Sequence, residues 1–276
     1  MTGKEIRLKR LFKGSDRIII VPMDHGVTAG PIDGIEDVAK TVSLIAQGKA
    51  NAIVLHKGLV PQVSNVLGAS QCELILHLSA SSNLSSDSQR KELVSTVEHA
   101  IGLGATAVSI HVNLGNPSES HMLRDFGRVS EDCQRWGIPL LAMMYVRDGS
   151  TGNEFDPRKV KHAARIAQEL GADIIKVNYT GSVESFSEVT QGVMVPVVIA
   201  GGPKTSTVAE LLFMIYDALQ AGAQGISIGR NIFQSPNPVQ LLSTIRLITD
   251  SQVTRDKLEE LAQELTQAFA QENRIS

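Results

Sequence analysis

Short runs of apolar and β-branched residues recur along the whole chain, and each is followed by a turn signal and then by a helical stretch. Strands that alternate with helices in this way are typical of parallel βα units, and eight of them in about 250 residues predict an α/β fold, a closed (β/α)8 TIM barrel. The predicted strands cover residues 18–21, 52–56, 73–78, 107–112, 140–145, 174–178, 197–200 and 225–228.

The segments between the strands carry signals that support this count. Gly104, Gly171 and Gly222 end helical stretches just before the fourth, sixth and eighth strands, as expected for glycine at a helix C-terminus. Pro139 and Pro196 stop the preceding element before the fifth and seventh strands. A doubly wound open sheet also alternates strands and helices, but it usually has fewer strands and a G-x-G-x-x-G turn after the first. The pattern therefore favours the barrel.

The domain organisation follows from the lack of an internal linker rich in proline, glycine or serine. We expect one barrel domain over residues 1–276, with a short N-terminal extension over residues 1–17. A C-terminal amphipathic helix is expected over about residues 252–272, with Leu258, Leu261 and Leu265 on one face. Segments 79–88 and 147–157 directly follow strands and are candidate active-site loops.

Composition and charge exclude several function classes. The chain is 42% hydrophobic and 20% charged, with a formal net charge of -3 and scattered basic residues, which argues against nucleic acid or an anionic membrane as a partner. The first apolar run, at residues 18–23, is too short to span a membrane. Two cysteines, Cys72 and Cys133, lack a metal-type spacing and fit a protein of the reducing cytoplasm.

Polar residues cluster where the predicted strands end. Barrel enzymes place their active sites at this end, so these residues form a shortlist before any motif is considered. The shortlist is Asp24, His25, His56, Lys57, His77, His111, Asn113, Tyr145, Arg147, Lys176, Asn178, Lys204 and Arg230.

Two glycine-rich segments indicate a phosphate site. Gly201 and Gly202 follow the seventh strand, and Gly229 and Arg230 follow the eighth, which are the two loops that bind phosphate in many barrels. Glycine lets backbone N–H groups approach an anion, and arginine adds a charge-assisted contact. The alternative is that the glycines only permit tight turns. Because both loops carry the signal, we expect a phosphorylated substrate.

Lys176 stands inside an apolar strand at residues 174–178. A buried ammonium group loses its hydration, so such a lysine either pairs with a carboxylate or loses its proton and becomes a nucleophile for carbonyl carbon. Nearby cations such as Arg147 or Arg230 would favour the uncharged amine. We therefore interpret Lys176 as the Schiff-base lysine of a class I aldolase, and a structural lysine held by a carboxylate is the alternative.

Imine chemistry also needs groups that move protons. Asp24 and Tyr145 supply a carboxylate base and a phenol, although Asp24 is also suited to capping a turn and Tyr145 to a structural place at the rim. Lys57 and Lys204 compete for the role of nucleophile, but their positions beside glycine turns suit anion binding better.

Two other functions remain compatible with parts of the pattern. His56, His77 and His111 end three successive strands and would converge on a divalent ion in a metal-dependent aldolase. A non-catalytic barrel that binds a sugar phosphate would keep the phosphate loops but would have no need for Lys176 and its proton-transfer partners.

Eight sequence segments form a combined motif over nearly the whole chain. They are Val21-Pro22-Met23-Asp24-His25-Gly26-Val27, Leu55-His56-Lys57-Gly58, Ser109-Ile110-His111-Val112-Asn113, Ala142-Met143-Met144-Tyr145, Ile175-Lys176, Tyr179-Thr180-Gly181, Ala200-Gly201-Gly202-Pro203-Lys204 and Gly229-Arg230-Asn231-Ile232-Phe233. In combination they resemble the archaeal-type class I aldolases, most closely the 2-amino-3,7-dideoxy-D-threo-hept-6-ulosonate synthases of that family.

The resemblance implies a (β/α)8 barrel with a Schiff base at Lys176, Tyr145 as proton donor and Asp24 as proton acceptor. It implies no cofactor and no metal, and it implies a large homo-oligomer, often a decamer. The substrate contacts that it implies are His25, Gly26, Val27, Thr28, Val146, Arg147, Gly201, Gly202, Gly229 and Arg230.

The resemblance also implies the substrates. Family members transfer a fragment between a phosphorylated deoxy-diketohexose and L-aspartate 4-semialdehyde on a route to aromatic amino acids, condense dihydroxyacetone phosphate with the same aldehyde, or cleave fructose 1,6-bisphosphate. One imine mechanism serves all three reactions. Archaeal members read Tyr-Pro-Arg-Gly after the strand, whereas this chain has Tyr145-Val146-Arg147-Asp148-Gly149. This loop is expected to cover the second substrate. The sequence difference therefore affects the identity of the acceptor and leaves the imine step unchanged.

Overall fold

The computed structural model describes residues 2–150, 152–251 and 253–272, and eight parallel strands close into a barrel at its centre. The strands are β1 (Ile18–Pro22), β2 (Ala52–Leu55), β3 (Glu73–His77), the short β4 (Ser79–Ala80) and β5 (Glu92–Leu93), β6 (Ala107–Leu114), β7 (Leu140–Val146), β8 (Ile174–Asn178), β9 (Val197–Ala200) and β10 (Gly225–Ser227). The order around the barrel is β1-β10-β9-β8-β7-β6-β3-β2, which confirms the predicted fold.

A small antiparallel hairpin, which the alternation of strands and helices does not predict, follows β3. Ser79 pairs with Leu93, and Ala80 pairs with Glu92. Strands of two residues have no hydrophobic alternation, so sequence patterning does not detect them. The predicted ends of the barrel strands differ from the observed ones by at most two residues, because pairing with a neighbour, rather than composition, sets where a strand stops.

Helices cover the outside of the barrel. They are α1 (Thr2–Phe12), α2 (His25–Ala29), α3 (Val38–Gln47), α4 (Val60–Ala69), α5 (Val97–Gly102), α6 (Glu119–Trp136), α7 (Pro157–Glu169), α8 (Val183–Thr190), α9 (Val208–Gln220), α10 (Arg230–Phe233), α11 (Pro238–Asp250) and α12 (Arg255–Glu272), with 3-10 turns at Lys57–Leu59 and Asn153–Phe155. In the part of the chain that is described, none of these helices has the length and apolarity needed to cross a lipid bilayer.

Local sequence fixes where several helices begin. The side chain of Asp156 accepts a hydrogen bond from the backbone N–H of Lys159 at the start of α7, and Thr207 does the same for α9. These caps satisfy amide groups that have no partner inside the helix. At the C-terminus, α12 buries Leu258, Leu261 and Leu265. Position 252, the predicted start of this helix, lies outside the described residues.

The strands separate two hydrophobic cores. Ile18 and Ile20 on β1 belong to the core inside the barrel, whereas Ile19 packs outward beneath the helices. Leu11 of α1 is fully buried in the inner core, and Phe12 packs against it. Part of the segment predicted as an N-terminal extension therefore closes the N-terminal end of the barrel.

Candidate active site

A cavity of about 430 Å³ opens at the C-terminal end of the barrel. The strand ends that meet there bring residues from distant parts of the sequence into one space, as in other barrels. Its walls are formed by Pro22, Asp24, His25, Thr28, Ala29, Asn83, Lys91, His111, Met143, Tyr145, Arg147, Glu154, Lys176, Asn178, Ala200, Gly201, Gly202, Pro203, Ser227, Gly229, Arg230 and Asn231.

Lys176 lies on β8 in the wall of this cavity and is only 6% exposed. Its neighbours in register are Met143 on β7 and Val198 on β9, so apolar side chains surround its stem. Across the described residues, no ion pair or hydrogen bond holds its amino group. The alternative of a structural lysine locked to a carboxylate is therefore not what the structure contains.

Asp24 follows β1 and is held by a set of histidines. Its Oδ2 lies 3.6 Å from Nε2 of His77, and Nδ1 of His77 lies 2.8 Å from the hydroxyl of Ser109. Burial acts to raise the pKa of Asp24, but His77, His25 and Lys176 together hold that pKa well below its usual range. The Asp24 side chain makes no capping hydrogen bond to α2, so the capping alternative fails.

Burial lowers the pKa of each histidine near this carboxylate. For His77 the loss of hydration lowers the pKa to about 4 despite the opposing effect of Asp24. The pKa values of His25 and His56 are also lowered by burial. These rings are consequently neutral near pH 7, beside an ionised Asp24.

Tyr145 lies on β7, two strands away from His77 on β3 in the order of the barrel. Two polar side chains lie beside it. Its ring lies 4.8 Å from the ring of His111, and the guanidinium carbon of Arg147 lies 5.4 Å from its centre. His111 is in turn directed to Asn113, with 2.8 Å between Nε2 and Oδ1. Tyr145 lines the cavity, and these neighbouring side chains fix the orientation of its phenol.

The two predicted phosphate loops meet at one side of the cavity. Arg230 donates a hydrogen bond of 3.0 Å from Nη2 to the carbonyl of Gly202, which links them. Gly202 has a φ of 61°, and a Cβ there would meet no atom within 4 Å, so the space beside it is open. A Cβ on Gly229 would lie 2.5 Å from the carbonyl oxygen of Pro22, so that glycine is required by close packing.

Besides His77 and Asn113, six of the predicted residues do not line the cavity. The side chain of Val146 packs in the outer core because it is the last residue of β7 and Tyr145 before it takes the inward position. Lys57 donates to the carbonyl of Val94 at 2.5 Å, and Lys204 donates to that of Gln234 at 3.4 Å. The other three are Gly26, Val27 and His56.

The three histidines of the metal-dependent alternative do not form a ligand set. His56 and His77 contact each other edge to face with 5.2 Å between ring centres, and His111 is directed to Asn113. Among the residues that the structure describes, no three His, Cys, Asp or Glu side chains are placed to hold a metal ion. Successive strand ends share an edge of the barrel, but ring orientation decides whether nitrogens converge.

Sequence reasoning missed several cavity residues. Lys91 directly precedes β5, the second strand of the hairpin, and Glu154 lies in the 3-10 turn after β7. Both belong to long loops whose path is set by contacts elsewhere, so no periodicity indicates that they face inward. The available signal was the placement of these loops directly after barrel strands. Asn83 was missed in the same way, and Ser227 on β10 and Asn231 in α10 also line the cavity without having been predicted.

Comparison with known proteins agrees with this site. Residues 18–235 match the family described as DeoC/LacD family aldolase. The chain is 44% identical over 260 residues to 2-amino-3,7-dideoxy-D-threo-hept-6-ulosonate synthase 1 of Archaeoglobus fulgidus, covering 94% of this chain and 96% of that one. It is 43% identical over 237 residues to 2-amino-4,5-dihydroxy-6-oxo-7-(phosphonooxy)heptanoate synthase of Streptomyces griseus, covering 86% of each.

A solved structure of a Schiff-base-forming fructose-1,6-bisphosphate aldolase superposes with a TM-score of 0.82 at 30% identity, covering 90% of this chain and 99% of that one. A closed barrel with a buried cavity lysine and these relatives define a class I aldolase. The chain belongs to the DeoC/LacD family of aldolases. The predicted family resemblance and enzyme class are both confirmed.

Proposed function

We propose that this aldolase joins a phosphorylated ketone donor to L-aspartate 4-semialdehyde through an imine on Lys176. The observation that carries the proposal is the amino group of Lys176, which is buried in the cavity wall without an ion pair or hydrogen bond among the described residues. An amine free of a carboxylate and shielded from water is suited to attack a carbonyl carbon.

The donor is proposed to bind through its phosphate. Backbone amides at Gly201, Gly202 and Gly229, together with the guanidinium of Arg230, form the phosphate loops. β9, which ends in the first of these loops, lies next to β8 in the order of the barrel, and β10, which ends in the second, lies next to β9. A phosphate held there sets the donor ketone beside Lys176, so positioning lowers the entropic barrier to imine formation.

Proton transfer is assigned to Asp24 and Tyr145. The lysine amine adds to the ketone to give a carbinolamine, which loses water to form an iminium ion, and removal of a proton from the adjacent carbon gives the enamine. Asp24 is ionised and accepts that proton, and Tyr145 donates a proton to the aldehyde oxygen as the new C–C bond forms. Water then releases the product and restores the amine, and the proton taken up by Asp24 returns to Tyr145 through solvent.

The names of the two synthase relatives support the choice of acceptor. In 2-amino-4,5-dihydroxy-6-oxo-7-(phosphonooxy)heptanoate, the hydroxyl at carbon 4 is β to the ketone at carbon 6. Cleaving the bond between carbons 4 and 5 gives dihydroxyacetone phosphate and aspartate semialdehyde. The same cut in the deoxyheptulosonate gives the same aldehyde, with a deoxygenated donor fragment. The acceptor is thus common to both reactions.

Reductive trapping tests the proposal. Incubation with dihydroxyacetone phosphate or with the deoxy-diketohexose phosphate, followed by sodium borohydride, should add the mass of the reduced donor to one peptide, the one that contains Lys176. Lys176→Arg should acquire no adduct. An adduct on Lys57 or Lys204, or chelator-sensitive activity without any adduct, would contradict the proposal. The donor that gives activity with aspartate semialdehyde identifies the physiological donor class.

We further propose a cytoplasmic homo-oligomer that needs no cofactor or metal. Cys72 and Cys133 are both buried free thiols, and burial raises the pKa of each to about 12, as suits unreactive thiols in a reducing compartment. Light scattering after size-exclusion chromatography measures the oligomeric state, with a decamer expected from the family resemblance.

A further inference from the structure

Three charged side chains line the cavity outside the phosphate loops, and the proposed imine steps use none of them. They are Lys91, Arg147 and Glu154. In the order of the barrel, β6 and β3 lie directly across from β10 and β9, and β7 lies beside β6. A donor phosphate therefore occupies one side of the cavity, and these three groups border the space that remains for the acceptor.

Lys91 is carried into this space by the hairpin of β4 and β5. Its amino group donates a hydrogen bond of 2.5 Å to the hydroxyl of Ser81, which fixes its direction without neutralising its charge. Burial lowers the pKa of Lys91, and Asp24 opposes this effect by attracting the charged form. Lys91 forms no ion pair within the described residues, so its charge remains for a ligand anion.

Glu154 supplies the opposite charge. Its Oε2 accepts hydrogen bonds from Arg147 and from the side-chain amide of Asn178, the latter at 3.4 Å, and the same amide donates to the backbone carbonyl of Glu154 at 3.2 Å. Its Oε1 has no hydrogen-bond partner in the described part of the chain. The carboxylate is thus held at one oxygen while the other is left for a cation.

Charge complementarity identifies the kind of acceptor that fits. An α-amino acid aldehyde carries an ammonium and a carboxylate on one carbon, so it needs an acid and a base that lie close together. A sugar phosphate carries only negative charge, which Glu154 would repel. The ion pair of Glu154 with Arg147, together with the unpaired Lys91 in the same cavity, therefore suits a zwitterion better than a second phosphate.

We propose that Glu154 binds the α-ammonium group and Lys91 binds the α-carboxylate of the aldehyde acceptor, with Arg147 holding Glu154 in place. This assignment rests on the proposed function and adds the two residues that select the acceptor. They are specificity residues, and the imine on Lys176 forms without them.

Acceptors that lack one charged group test each residue separately. With dihydroxyacetone phosphate as donor, aspartate semialdehyde is compared with succinic semialdehyde, which lacks the ammonium, and with 3-aminopropanal, which lacks the carboxylate. Glu154→Gln should lower kcat/KM about tenfold or more for aspartate semialdehyde and 3-aminopropanal, but less than about twofold for succinic semialdehyde. Lys91→Gln should lower kcat/KM about tenfold or more for aspartate semialdehyde and succinic semialdehyde, but less than about twofold for 3-aminopropanal.

Matched controls separate recognition from general charge effects. Lys161 and Glu188 form a surface pair 4.0 Å apart on the outer helices, so Lys161→Gln and Glu188→Gln change the same charges away from the cavity. Both should leave the three kcat/KM values unchanged. Equal losses for all three acceptors in Glu154→Gln or Lys91→Gln would overturn the assignment, as would an equal loss with glyceraldehyde 3-phosphate.

Borohydride trapping with the donor alone distinguishes the two proposals. Failure to trap an adduct on Lys176 in the unaltered enzyme would overturn the imine mechanism. Trapping in the unaltered enzyme and in both variants, without the expected split between acceptors, would overturn only the acceptor assignment. Loss of trapping in a variant alone would also overturn it, because that residue would then act on the donor or on the fold.

Discussion

The N-terminal end of the barrel has a cavity of about 600 Å³, larger than the one of about 430 Å³ at the C-terminal end, and the two ends use their charged groups differently. At the N-terminal end, Lys13 donates to the carbonyl of Ala50 at 3.2 Å. Arg246 donates to the carbonyl of Lys49 at 2.7 Å, to Asn51 and, at 3.2 Å, to Asp250. These charges join the residue after α1 and the end of α11 to the segment that leads into β2.

The C-terminal end leaves two of its buried polar groups without hydrogen-bond partners. The amino group of Lys176 and the buried Nδ1 of His25 have no hydrogen-bond partners among the described residues. Buried polar groups without partners cost stability, so a fold retains them where a ligand supplies the missing contacts. Unsatisfied buried groups, rather than cavity size, therefore identify the reactive end of this barrel.

The largest expected effect separates activity from stability at the C-terminal end. Lys176→Met should reduce turnover by about four orders of magnitude or more, because the covalent nucleophile is lost. The free energy of unfolding should stay the same or increase, since an unpaired buried amine is replaced by an apolar chain of similar length. Steady-state kinetics and urea unfolding measure the two quantities. A large loss of stability would show that the lysine is structural.

The buried histidines should make the C-terminal end sensitive to acid. His77 has its pKa lowered from 6.5 to about 4 by burial, so the unfolded chain binds more protons than the folded chain in this window. The free energy of unfolding should therefore fall by about 3 kcal/mol for this group as pH falls from 6.5 to 4. His25, His56 and His111, whose pKa values are also lowered, should add losses of the same sign.

Urea unfolding at pH 7 and at pH 4.5 measures this dependence. His77→Asn keeps a group that can bond Ser109 but does not titrate, so its free energy of unfolding should depend less steeply on pH. An unchanged slope in this variant would assign the acid sensitivity to other groups.

At the N-terminal end the expected effect is on stability alone. Arg246→Met should lower the free energy of unfolding by about 2 kcal/mol, because it leaves the Asn51 and Lys49 oxygens without a donor. KM and turnover should not change. The matched control is Arg165→Met, which removes an exposed pair with Glu169 and should cost less than about 0.5 kcal/mol. A changed KM in Arg246→Met would contradict the division between the two ends.

The smallest effect comes from a matched pair of glycines. Gly202 at the phosphate loops and Gly104 at the N-terminal end have φ values of 61° and 80°, and a Cβ at either would meet no atom within 4 Å. Alanine should cost about 1 kcal/mol of stability at both positions because of the left-handed backbone. Only Gly202→Ala should raise KM for the phosphorylated donor. An equal KM in the two variants would argue against phosphate binding at Gly202.

Much of the fold and part of the site could be predicted, and the reason differs from one residue to another. Lys176 was found because a lysine is unusual inside an apolar strand, and that signal is local. Arg230 and the nearby glycines were found because phosphate loops follow the last strands of many barrels. Val146 was assigned to the substrate by resemblance, but strand alternation turns it outward.

The sequence by itself determined the ring of eight strands and the lysine within it, because hydrophobic periodicity and turn residues act over a few neighbouring positions. Only the tertiary structure decided that α1 closes the N-terminal end and that Lys91 and Glu154 line the same cavity as the lysine. Those placements depend on strand pairing and hydrogen bonds between residues far apart in sequence, such as the one from Asn178 to Glu154. No local pattern in the chain encodes such a contact.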